Sequence, residues 1–111
     1  MTEKFDGKSI ELISGRFELE QDLAEATEDQ LLIALSDRIA WMIEYNMEYL
    51  LSLLYRMDVL EVNINKALNP ANPDPANVAL AKLIIDRQKL RIQTRKDYRS
   101  PDLEDEDEWN L

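Results

Sequence analysis

A chain of 111 residues with no cysteine, no histidine and 2 glycines excludes disulfides, thiolate metal sites and most Gly-rich nucleotide loops. It also lacks the commonest general base and metal ligand. The formal charge of −10 disfavours indiscriminate nucleic-acid binding, and the length allows one core and no second.

The N-terminus MTEKFDGK is polar, with no apolar signal core behind it. No run reaches the length of a membrane span. A soluble cytoplasmic protein without membrane contact is the expectation. Residues 1–8 read as a frayed leader. The stretch SIELISGRFELE is the only one with strand character. A two-residue turn at Ser14-Gly15 sets Leu12 opposite Phe17 and Ile10 opposite Leu19, a short β-hairpin. The like-charge pair Glu11 and Glu18 opposes that register, and a helical or unstructured reading of 16–26 stands beside it. Residues 1–26 are therefore read as a leader, hairpin or disordered.

The first firm helix starts at Thr27, where TEDQ forms a capping box between Thr27 and Gln30. Glu28 and Asp29 suit the positive end of the dipole. Leu32, Leu35, Ile39 and Met42 or Ile43 follow at helical period, with Asp37, Arg38 and Glu44 on the other side. Leu50, Leu53, Leu54 and Met57 continue the stripe. The whole of Leu31–Leu60 reads as the central element, with Trp41 and three tyrosines as bulky anchors. It is one long bent helix or two joined at 45–47. Asp58 is expected to cap a short helix over 59–68, and NPANPDP ends that helix. A last helix over about 75–97 turns Val78, Ala81, Ile84, Ile85 and Ile92 inward. The fold expected is all-α, a three- to four-helix bundle over 27–99 with an acidic tail at 100–111.

Four constellations carry the functional reading. Trp41, Tyr45 and Tyr49 line a face of the central element, an edge of the core or an interface. Arg56 either pairs locally with Asp58 or Glu48 or meets a partner. Residues 82–99 carry 7 bases and 2 acids, whereas 100–111 carry 6 acids and no base. That basic face, Arg87, Lys89, Arg91, Arg95, Lys96 and Arg99, is the strongest functional candidate, with cations that could contact phosphates. The acidic tail competes for the same surface, so nucleic acid is not the expected partner. Trp109 and Leu111 give the tail the look of a peptide ligand with apolar anchors. The carboxylates Asp37, Glu44, Glu48, Asp58 and Glu61 read as a solvated face, because a bundle metal site wants histidines as well.

No catalytic, cofactor-binding or metal-binding residue is assigned. The apolar side chains of 31–60 outnumber what the covering helices can shield, and surplus apolar surface marks a partner. The sequence therefore points to a non-enzymatic interaction protein, an adaptor or regulator, with a homodimer as the first expectation. A nucleic-acid-associated regulator is the alternative.

Overall fold

The computed structural model describes residues 3–20 and 22–97. Among these, the regular elements are five helices: α1 (Gly7–Phe17), α2 (Glu28–Tyr45), α3 (Met47–Arg56), α4 (Glu61–Leu68) and α5 (Ala76–Asp97). The all-α reading stands.

The hairpin does not form. SIELISGRF lies in α1, whose Asp6 cap accepts from the Ser9 N–H at 3.0 Å. Ile10, Ile13 and Phe17 recur at helical spacing and all three are buried, while a hairpin of this length leaves its apolar face half covered. Nor do Lys4 and Phe5 hang free of the fold. The Phe5 N–H donates to the Ala26 carbonyl at 2.7 Å, Lys4 bridges to Thr27, and the Phe5 ring joins the core. At the far end of α1, Glu18 takes a left-handed conformation (φ 55°) and its N–H returns to the Ser14 carbonyl, closing the helix.

The capping box of α2 is present in both directions. The Gln30 N–H donates to Thr27 Oγ1 at 3.2 Å, and the Thr27 N–H donates to Gln30 Oε1 at 2.9 Å. The central element is two helices, not one long helix. Asn46 (φ −155°, ψ 58°) breaks the path between them while its N–H still reaches the Met42 carbonyl at 2.7 Å. Leu31, Leu35, Ile39 and Met42 from α2 and Leu50, Leu53, Leu54 and Met57 from α3 and its end share one buried cluster.

Asp58 does not cap α4. It sits at φ 63°, an orientation that Asp tolerates better than most residues. There it turns the chain so that the Val59 N–H reaches back to the Leu54 carbonyl at 3.0 Å and the Val59 side chain is buried. α4 starts later, after Leu60, and without a side-chain cap.

The proline-rich connection is held by its own asparagines. Asn69 Oδ1 accepts from the Ala71 N–H at 2.8 Å and Asn72 Oδ1 from the Asp74 N–H at 2.9 Å, while Asn72 Nδ2 donates to the Lys66 carbonyl. α5 then packs along α2, the most extensive helix pairing, and against α4. Leu80, Ala81, Ile84 and Ile85 form its buried face. Asn77 Nδ2 donates to the Ser36 carbonyl at 3.1 Å, and Lys89 reaches Glu28 at 3.2 Å, so α5 is tied to α2 near both ends of the contact. No described helix is long and apolar enough to cross a membrane.

Candidate interaction surfaces

Trp41 does not anchor the interior. Its side chain is 46% exposed, Tyr45 is 65% exposed, and Tyr49 and Tyr55 also face solvent. The reason is rotational. The stripe Leu31–Leu35–Ile39–Met42 points α2 at the core, and Trp41 falls outside that arc. The bulk inside comes instead from Phe5, Ile13 and Phe17, all within the stretch 1–26 that reads as leader, hairpin or disordered.

Two of the exposed aromatics pack on one another. The Trp41 and Tyr45 rings are tilted at 41° with centroids 5.3 Å apart, one helical turn from each other and within the range where aromatic pairs attract. The Arg38 guanidinium lies 4.7 Å from the Trp41 ring centroid, a cation–π stack. Arg38 also reaches the other way. Its Nε donates to the Phe17 carbonyl at 3.0 Å and its Nη2 lies 3.4 Å from a Glu18 carboxylate oxygen. A cation at the last carbonyls of α1 complements the negative end of that helix. One side chain therefore closes α1 and stiffens the aromatic face. The sequence reading had placed Arg38 on the solvent side; its partners lie about twenty residues upstream, beyond what helical period can register.

Arg56 pairs with neither Glu48 nor Asp58. It is exposed and without an ion-pair partner among the described residues, while Asp58 faces Arg87 at 3.9 Å. The left-handed turn at Asp58 aims that carboxylate across to α5.

Near this corner the Tyr55 hydroxyl donates to a Glu61 carboxylate oxygen at 3.3 Å. The negative charge of Glu61, then some desolvation, then the hydrogen bond itself hold the phenol above its ordinary pKa. Raising the folded-state value favours the protonated phenol. Its small contribution to stability is present below the ordinary tyrosine pKa and fades as pH rises through the folded-state value. Glu61→Gln should bring the titration back down towards the ordinary value. A phenolate absorbance titration, with Tyr55→Phe to identify the signal, checks this; an unmoved titration rejects Glu61 as the cause.

The basic face of α5 is partly spent on internal pairs. Arg87 faces Asp58, Lys89 binds Glu28 and Lys82 binds Asp74 at 3.0 Å. Arg91 is exposed and unpaired among the described residues. The side chains of Arg95 and Lys96, and residues Arg99, Trp109 and Leu111, lie outside the described set. Asp37, Glu44, Glu48, Asp58 and Glu61 are exposed, and no three acidic side chains gather as a cation site among the described residues.

Between α1 and α5 lies a groove of about 420 Å³, which sequence reasoning did not anticipate. Leu12 and Leu90 give it apolar walls, and Lys8, Arg87 and Arg91 border it. Gln88, only 3% exposed, lies at its base, where the Ser9 hydroxyl donates to Gln88 Oε1 at 3.5 Å. These two residues stand 79 apart in sequence, so no local pattern signals their meeting.

No family model matches the chain, and comparison with curated proteins and with solved structures finds no match either.

Proposed function

We propose that this chain is a non-enzymatic helical interaction module, an adaptor or regulator, and that a second copy of itself is the first partner of its α2 face. The observation that carries the reading is the Arg38–Trp41–Tyr45 stack, solvent-facing and held in place. Isolated exposed apolar residues are ordinary, but an exposed tryptophan covered by an arginine and packed at a tilt against a tyrosine is not. Tryptophan, tyrosine and arginine are the residue types that dominate binding energy at interfaces. Pre-ordering them lowers the entropy cost of docking. Ile33 on α2 and Tyr49 at the start of α3 are exposed apolar side chains of the same two helices. A stable interface wants about 800 Å² from each partner, more than two rings supply, so these residues belong to the proposed contact.

Light scattering at low micromolar concentration tests the reading. The full chain is expected to show twice the 13.0 kDa of the monomer, and the double variant Trp41→Glu/Tyr45→Glu is expected to return to the monomer mass. A native chain that runs as a clean monomer removes the self-association.

A further inference from the structure

The α1–α5 groove is rich in donors and poor in acceptors. Lys8 and Arg91 border it without a carboxylate partner among the described residues. Arg87 approaches Asp58 only at 3.9 Å, and its Nε is buried without an acceptor. The Gln88 amide is likewise buried with its nitrogen unpartnered. Turning that amide over would satisfy the nitrogen on Ser9 and strand the oxygen instead, so one polar atom stays unpaired in either orientation. Leu90, 54% exposed, leaves the apolar wall open. A surface of this kind fits a ligand that is anionic and carries apolar side chains.

We propose that the groove is the docking site of the chain's own acidic C-terminal segment, residues 101–111, bound as an internal ligand that an outside acidic peptide must displace. The segment has the complementary chemistry: Asp102, Glu104, Asp105, Glu106, Asp107 and Glu108, with Leu103, Trp109 and Leu111 among them. It also has the reach. Arg91 lies about 9 Å back along the helix from Asp97 at 1.5 Å per residue. The 14 residues beyond Asp97 span up to about 46 Å when extended. Tethering decides between this occupant and others. A covalent tether this short holds the segment near millimolar effective concentration, so a free acidic peptide at micromolar concentration must bind about a thousandfold more tightly to compete. The site involves neither Trp41 nor Tyr45, so it stands or falls apart from the proposed dimer face.

The absence of cysteine makes the test direct. Asn110→Cys accepts a nitroxide at an uncharged position of the full chain, and amide intensities then report what the segment approaches. At low salt the Lys8 and Leu12 amides should lose intensity about threefold against the reduced label, as an occupied tethered site requires. Neutralising the six acids to their amides should restore the intensity, as should about 0.5 M salt, which shortens the screening length to a few ångströms. Lys8→Glu/Arg91→Glu should do the same, its fold checked by unchanged amide positions in α3 and α4. No loss at α1 with the groove intact, or the same loss after the acids are neutralised, overturns the proposal. Loss at Lys8 and Leu12 of isotope-labelled chains mixed with separate spin-labelled ones assigns the groove to a second copy, and equally overturns it.

Discussion

Phe17→Ala should destabilise the chain by about 3–5 kcal/mol, the usual cost of emptying a phenylalanine site in a core. Against a total stability of about 5–15 kcal/mol for a domain of this kind, such a loss leaves a chain near its unfolding threshold. The expectation follows from position. The Phe17 ring is 1% exposed and belongs to the cluster that contains Leu31, Leu35, Ile39 and Leu54. Its own carbonyl is bound by Arg38, so the backbone there is held and has little freedom to collapse into the cavity. Urea denaturation measures the change: the midpoint should fall with the slope unchanged, because the surface exposed on unfolding is nearly the same. If α1 were a peripheral leader, the substitution would act as a surface change, within about 0.5 kcal/mol. That result would detach α1 from the core.

The difference between those outcomes is also the difference between what the chain displays locally and what it does not. The start of α2 was legible because every determinant lies within four residues: Thr27 and Gln30 cap each other, and Glu28 and Asp29 suit the helix end. The inward stripe of α3 and the stop at the prolines were legible for the same reason. α1 was ambiguous because its apolar residues satisfy two periods at once. Ile10 and Leu12 alternate as in a strand, whereas Ile10, Ile13 and Phe17 recur as in a helix, and Ser14-Gly15 resembles a turn. The helix prevails because Phe17, Ile13 and Ile10 then bury together against α2. Gly15 is simply tolerated there, exposed and with nothing within 4 Å of where a Cβ would stand. The position of Trp41 depends on the same helix: Phe5, Ile13 and Phe17 fill the interior beside the α2 stripe, and Trp41 lies outside that arc, 46% exposed. The pairings that define the two candidate surfaces, Arg38 with Phe17 and Ser9 with Gln88, are made across the fold and leave no periodic trace.

Arg38 is where the core and the aromatic face meet, and its removal should be felt on both sides. Arg38→Ala loses a charged donor to a helix-terminal carbonyl, worth about 1.5–3 kcal/mol. It also loses a cation–π contact worth about 0.5–1 kcal/mol at a partly exposed site. The Glu18 pair adds little, since that carboxylate is largely exposed. These contributions share one side chain and do not simply add, so a loss of about 2–3 kcal/mol is expected. Arg38→Lys should recover only a minor part, because an ammonium cannot present the Nε–H fork to the Phe17 carbonyl while lying flat over an indole. Two measurements separate the two sides. Hydrogen exchange should show the α1 amides near Phe17 opening more readily while those of α5 are nearly unaffected, since α1 is the element Arg38 holds. In a Trp109→Phe background, which leaves Trp41 as the only indole, the Trp41 emission should change on losing the guanidinium. If Arg38→Ala weakens α1 but leaves the Trp41 emission unchanged, the arginine is a structural clamp alone. The aromatic face would then lose the pre-ordering that makes it a credible site of association.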